Sequence, residues 1–500
     1  MHMKRIILSV ALAAATTIGA AAQTPLQQRI ENIVKHSPAL KGAVVGIAVT
    51  DTKGKSLVMY NADQRMVPAS NLKLITTGAA LNTLGPDYRF KTSIGYTGTI
   101  EDGTLNGDLY IIGGGDPTIG VWGFQPYVTD HFEEMAAIVS KVGISRINGR
   151  IIGDPRAWEG FLEFGDWTYE DIGTYYGTGS GALNFYKNSI DLIVAAGAEE
   201  GAPVQAGQIF PDTPWMHFTN SAFTGKEGTG NSLYLYTTDL APYSELRGTF
   251  ALDRASKTEH FANKFGALTC AWYFRKQLNS IGIEVVGDAA DIDRGGYIRT
   301  SDFVLREKAG EPVVIGTSQS DRLETIVRET NFESDNFYAE ALFRTMGEEA
   351  TGYAVYDSAR VAEKSVLKEL GLNPDDVTIA DGSGLSRSNA VSARFINAFL
   401  QAMMSSPAFP AFLASLPMPG EGTLAPVLKN SPHKDRFRLK SGSMGGVLCY
   451  SGYILGDDGT PVATVSLMVN GATAKTTQIR RALEDMLGAV IDRFAGQAGE

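Results

Sequence analysis

Pro68-Ala69-Ser70-Asn71-Leu72-Lys73-Leu74-Ile75 opens a stretch with Leu72, Ile75, Ala79 and Leu84 at helical intervals, and the pattern stops at Gly85-Pro86. The spacing predicts a helix over 70–84 with Ser70 at its N-terminus. Ser70 and Lys73 then share one face, three residues apart. Two more short motifs follow, Ser334-Asp335-Asn336 and Lys440-Ser441-Gly442. S-x-x-K, S-D-N and K-T-G in this order are the parts of a serine enzyme that works through an acyl-enzyme, and here Ser441 stands in the Thr position of the third.

Each motif has a chemical reason. A serine hydroxyl is a poor nucleophile until a base takes its proton. Lys73 serves as that base if burial or a nearby cation keeps its amine neutral, and Lys440 is the candidate cation. A helix N-terminus beside Ser70 offers backbone N–H groups to a developing oxyanion. Ser334 can relay a proton to a leaving amine, and the Asn336 amide can bind a substrate carbonyl. Lys440 can hold a terminal carboxylate. Gly442 removes a side chain so that substrate can lie along the strand. The N–H of Ser443 can complete an oxyanion hole with that of Ser70. Read singly, each motif also has a plain meaning: an N-cap, polar residues on a solvated helix, an edge-strand lysine that discourages aggregation. Their joint occurrence in order favours chemistry.

The frame around them is a 500-residue chain with 44% hydrophobic and 20% charged residues, enough for two or three domains. Lys4 and Arg5 precede an apolar run from Ile6 to Ala22 that ends in small residues, which predicts a cleaved export signal over residues 1–22. No later stretch is apolar and long enough to span a bilayer, so at most peripheral membrane association and a periplasmic location are expected. Removal of Lys4 and Arg5 takes the formal charge from −11 to −13, and no basic cluster remains to suit nucleic acid. Cys270 and Cys449 permit a disulfide but do not require one.

Periodicity predicts a helix over 25–35, strands over 42–50 and 56–60, one helical stretch over 323–346, and a strand from 437 into the glycine-rich 442–446. A hairpin over 447–469 and a helix over 477–494 follow. Helices and strands at both chain ends imply one α+β core, an antiparallel sheet flanked by helices, built from 23–90 and 313–500. Residues 91–312 are Gly-rich with short strands and one helix over 261–281, and read as one or two β-rich inserted domains. The chain lacks H-E-x-x-H, short zinc spacings and G-x-S-x-G, which argues against metallopeptidases and α/β-hydrolases; neither metal nor organic cofactor is expected.

With these motifs the chain resembles the D-alanyl-D-alanine carboxypeptidase/endopeptidase family, the class C low-molecular-mass penicillin-binding proteins. The 264 positions from Ser70 to Ser334 match that family's large insertion within a β-lactamase/transpeptidase-like core. Asp381-Gly382-Ser383-Gly384-Leu385-Ser386-Arg387 looks like its DGSGLSR segment, and Gly422-Thr423-Leu424 and the glycines before Asp116-Pro117 are also similar. The resemblance implies Ser70 as nucleophile, Lys73 as base, Ser334 and Asn336 as relay and substrate binder, and Lys440 as electrostatic anchor. Ser441 departs from the usual Thr but keeps the hydroxyl. Asp154 and Arg387 are the candidates for binding the free end of a peptidoglycan stem peptide; a turn cap and a structural ion pair are their plainer meanings. β-Lactams are expected as covalent inhibitors. A serine β-lactamase and a catalytically silent cell-wall-binding protein are the alternatives; oligomeric state, and carboxypeptidase against endopeptidase preference, stay open.

Overall fold

The computed structural model describes residues 24–121 and 131–494; the expected export signal lies outside them. Val44–Asp51 is apolar at nearly every position, and the reason is that both faces of its sheet are covered. Val45, Ile47 and Val49 pair with Val469, Leu467 and Val465 and pack under the two terminal helices, Pro25–His36 and Thr476–Asp492. Ala48 points the other way with Cys449, Tyr453 and Met468, into a helical layer.

This five-stranded antiparallel sheet runs Ser56–Tyr60, Val44–Asp51, Pro461–Asn470, Val447–Leu455, Phe437–Met444. The first strands pair with the last, so the core closes only when both chain ends are in place. Phe437–Met444 is an edge strand along its whole length, through Gly442 and Ser443. The helical layer includes Lys73–Leu84, Leu323–Phe332, Asn336–Thr351, Tyr356–Glu369 and Ala393–Met403. Together these elements form the α+β arrangement expected.

The intervening residues build further sheets. The largest has seven strands and closes with Val313–Gln319 paired to Lys91–Tyr96. The return from this sheet therefore falls after Gln319, not at the expected 312. A smaller group includes Ser189–Ala195, Gln205–Phe210 and Lys257–Ala262 over its own apolar cluster. The helix expected over 261–281 is Gly266–Ser280, because 257–262 pairs as a strand.

Two more corrections bear on the motifs. The 323–346 stretch is not one helix: Leu323–Phe332 ends, Asp335 caps Asn336–Thr351 by accepting the N–H of Tyr338 at 3.1 Å, and Ser334 sits between with φ 60°. Ser70 is not the first residue of its helix either. It lies in a 3₁₀ turn, Ala69–Leu72, that leads into Lys73–Leu84, and Ala69 has φ 47°. Left-handed backbone at two non-glycine residues is a strain that surrounding structure must hold.

Cys270 and Cys449 are free and buried, one in the inserted region's core and one in the central sheet. Burial pushes both thiols up, Cys449 to about 12. Among the described residues no helix is long and apolar enough to cross a membrane.

Candidate active site

The Ser70 turn is held from two sides. Asn71 Nδ2 donates to Ser451 Oγ at 2.7 Å, and Ser451 Oγ donates to Ser466 Oγ at 2.9 Å, which pins the turn to the sheet. On the other side the DGSGLSR segment wraps against it. Gly384 has φ 83°, and a Cβ there would lie 2.0 Å from Ala69 O, so only glycine fits. Asp381 fastens this segment by accepting the N–H groups of Gly384 (2.9 Å) and Ser386 (2.6 Å).

Lys73 is fully buried, and its Nζ donates to Ser70 Oγ at 3.0 Å, Asn336 Oδ1 at 2.6 Å and Ser383 O at 2.7 Å. Burial lowers its pKa to about 8, against the opposing pull of Glu340, Asp381 and Asp335. Asn336 is fixed at both ends of its amide, since Nδ2 donates to Tyr176 O at 2.9 Å.

Lys440 is also fully buried and donates to Ser334 Oγ and Ser441 O, both at 2.8 Å. Burial, then the charge of Lys73, holds its pKa well below the usual lysine range. Burial alone already lowers Lys73, and two buried amines this close each disfavour charge on the other. Three carboxylates favour charge on Lys73, while Lys440 has only hydroxyl and carbonyl oxygens to bond. Ser441 Oγ donates to Thr423 Oγ1 at 2.8 Å, so the G-T-L segment supports the third motif.

Gly442 has a packing reason as well as the one expected. A Cβ there would lie 2.5 Å from Pro68 O and 2.8 Å from Asn71 N, so the glycine lets the edge strand press against the Ser70 turn. Gly442→Ala is expected to destabilise the fold by about 1–3 kcal/mol. Acylation should fall at least about a hundredfold, because backbone rather than a flexible side chain must move. Thermal unfolding and acylation kinetics of that variant check both figures.

The structure brings Ser70, Lys73, Ser334, Asn336, Lys440 and Gly442 together, with Ser443 exposed next along the edge strand. Arg387 is exposed at the rim, and a Cβ on Gly445 would lie 3.7 Å from its Nη2; it forms no ion pair among the described residues. Asp154 is not part of the cluster's bonding. It is buried, and its carboxylate takes Arg156 Nε at 2.9 Å and Nη2 at 2.7 Å. The inserted-region carboxylate that touches DGSGLSR is Asp166, which accepts from Ser386 Oγ at 2.9 Å. Sequence reading also missed Tyr176 and Lys187. The first contributes a backbone carbonyl, which no motif can show, and the second reaches Asp335 across 148 positions.

Such a site can activate a serine with a buried amine and offers donors for an anionic ligand. The model of the D-Ala-D-Ala carboxypeptidase 3 (S13) family matches residues 26–490. A D-alanyl-D-alanine carboxypeptidase from an Actinomadura species is 28% identical over 491 residues, covering 95% of this chain and 85% of the relative. The D-alanyl-D-alanine carboxypeptidase DacB of Haemophilus influenzae is 24% identical over 457 residues, 86% of each chain. In fold, the crystal structure of penicillin binding protein 4 from Haemophilus influenzae superposes with a TM-score of 0.77 at 21% identity, covering 93% of this chain and 98% of that one. With a family model matched over nearly the whole length, the chain belongs to the D-Ala-D-Ala carboxypeptidase 3 (S13) family.

Proposed function

We propose that this chain is a serine DD-peptidase that hydrolyses D-alanyl-D-alanine bonds of peptidoglycan stem peptides through an acyl-enzyme on Ser70, and that β-lactams acylate the same serine. The observation that carries the reading is the bonding of Lys73. A neutral amine has two N–H groups and one lone pair. Asn336 Oδ1 and Ser383 O can take both N–H groups of the neutral form, so once the charged amine that donates to Ser70 Oγ loses a proton, its lone pair faces that oxygen.

Ser70 Oγ then attacks the carbonyl of the penultimate D-alanine and passes its proton to Lys73. The N–H groups of Ser70 and Ser443 stabilise the oxyanion. The substrate's terminal carboxylate lies by Lys440 and the Ser441 hydroxyl. An anion there favours the charged form of Lys440, and like-charge repulsion in turn favours neutral Lys73, so substrate itself prepares the base. Ser334, hydrogen-bonded to Lys440, delivers a proton to the leaving amine. Asn336 Nδ2 gives one N–H to Tyr176 and offers the other to the acyl chain. Water finally hydrolyses the ester. A β-lactam's leaving group stays tethered after ring opening and hinders that water. Arg387 receives the free end of the stem peptide, and Asp166, bonded to the adjacent Ser386, supplies a carboxylate to the same segment in place of Asp154.

In this reading the catalytic core is 23–90 with the residues after Gln319, the inserted region lies between, and residues 1–22 direct export to the periplasm. Incubation with labelled penicillin, digestion and mass mapping test the function. The adduct is expected on the peptide that holds Ser70, together with release of D-alanine from a D-Ala-D-Ala peptide. An enzyme that takes up no penicillin and releases no D-alanine would refute the reading. Rapid turnover of penicillin would instead make it a β-lactamase.

A further inference from the structure

Tyr186, Lys187 and Asn188 have φ of 51°, 54° and 50°, three consecutive non-glycine residues in the left-handed region. L-residues pay for this conformation and rarely adopt it in a row, so a surrounding structure must impose it. Here that structure is a buried amide scaffold. Asn188 Oδ1 accepts the N–H of Phe185 at 3.2 Å, and its Nδ2 donates to Asn184 Oδ1 at 2.9 Å and Gly179 O at 3.1 Å. Asn188 O accepts the N–H of Asn263 at 2.8 Å, and Ser189 Oγ closes on Tyr186 O at 2.8 Å. A Cβ on Gly266 would lie 2.0 Å from Asn188 Oδ1, so the helix behind the turn is shaped to receive this amide.

The turn places one side chain outside the inserted region. Lys187 Nζ reaches Asp335 Oδ2 at 3.1 Å and stands 5.8 Å from the centre of the Tyr338 ring, with Glu333 and Glu329 as its other anionic neighbours. Asp335 lies between Ser334 and Asn336, and its other oxygen caps the Asn336–Thr351 helix. The same region takes the Asn336 amide on Tyr176 O, while Arg344, from that helix, donates to the carbonyls of Glu159, Phe161 and Ser180.

We propose that Lys187 is a positioning residue for the proposed acyl-transfer reaction: from its left-handed turn it holds Asp335 and thereby fixes Ser334 and Asn336 against Lys440 and Lys73. The inference rests on the DD-peptidase reading and adds that the inserted region completes the catalytic turn rather than only extending the molecule. Ser334 is itself at φ 60°, so the turn needs an outside hold.

The test is a double-mutant cycle on the full mature chain with Lys187→Met, Asp335→Asn and the pair, each assayed for penicillin acylation and for kcat and KM on a D-Ala-D-Ala peptide. Asparagine keeps a capping oxygen and removes the charge. Each single variant is expected to lose about tenfold to about a hundredfold in kcat with KM little changed. The double variant should lose no more than either single one. Lys187→Arg, which keeps the cation and its charge-assisted hydrogen bond to Asp335 in this part-buried pair, should restore kcat to within about threefold of wild type.

Additive losses would overturn the proposal. So would a fall in thermal midpoint with kcat unchanged, which would make the pair only structural. A raised KM with unchanged kcat would overturn it as well, because Lys187 would then touch substrate directly. If Lys187→Met does not fold, the arginine variant decides: activity near wild type supports the role of the cation, and a hundredfold loss rejects it. Failure of the wild type to acylate would refute the DD-peptidase reading, whereas a normal wild type beside an unaffected Lys187→Met refutes only this proposal.

Discussion

Ser70→Ala is expected to abolish covalent labelling by penicillin and to lower D-alanine release by about six orders of magnitude, the scale seen when the nucleophile of a catalytic unit is removed. The change deletes one oxygen whose bond is to Lys73 Nζ. Asn336 Oδ1 and Ser383 O still hold the amine, and Asn71 still pins the turn to Ser451. Stability should therefore stay within about 0.5 kcal/mol of wild type. The oxyanion donors and Lys440 remain, so reversible binding of a β-lactam should persist without an adduct. Mass spectrometry after labelling, beside a thermal melt, measures both halves. A stable adduct on the variant would place the nucleophile elsewhere.

Lys73→Met is expected to slow acylation by about 10²–10⁴, the usual contribution of a general base. Methionine removes a buried amine and its desolvation cost, but orphans Asn336 Oδ1 and Ser383 O, so the effects on stability offset each other in part. Activity should thus fall far more than the melting temperature. The wild-type pH profile carries the same signature. The Lys73 pKa of about 8 in the free site leaves about a tenth of the amine neutral at pH 7. The neutral amine is the active form, so kcat/KM should rise about tenfold per pH unit at low pH and level off above about 8. Substrate carboxylate beside Lys440 favours neutral Lys73, so the corresponding limb of kcat should lie at lower pH. A rate independent of pH between 6 and 9, or a Lys73→Met variant that acylates like wild type, would exclude Lys73 as the base.

The two faces of the central sheet explain why so much of the core was legible. Val44–Asp51 and Val447–Leu455 are buried on both sides, so their apolar runs announce strands, and Pro25–His36 and Thr476–Asp492 carry one-sided helical patterns. The breaks were less legible. Glu333, Ser334 and Asp335 interrupt what reads as one helix, although Asp335 is a good N-cap residue. In the fold it caps Asn336–Thr351 with one oxygen and meets Lys187, 148 positions away, with the other. Val313–Gln319 reads as the start of the returning core, yet its edge belongs to Lys91–Tyr96. Strand partners far apart in sequence leave no local mark.

The order of the three motifs along the chain was enough to name the candidate reacting groups, because hydroxyl, amine and amide are properties of residue type. The sequence by itself also determined the core elements, because burial writes a period of apolar residues into each. Only the tertiary structure decided how those groups work. Gly442 serves close packing against the Ser70 turn, Asp154 is taken up by Arg156, and the carbonyls of Ser383 and Tyr176 orient Lys73 and Asn336. Burial lowers the pKa of both Lys73 and Lys440. Every residue has a carbonyl, and dielectric surroundings have no letter in the chain, so folding alone assigns these roles.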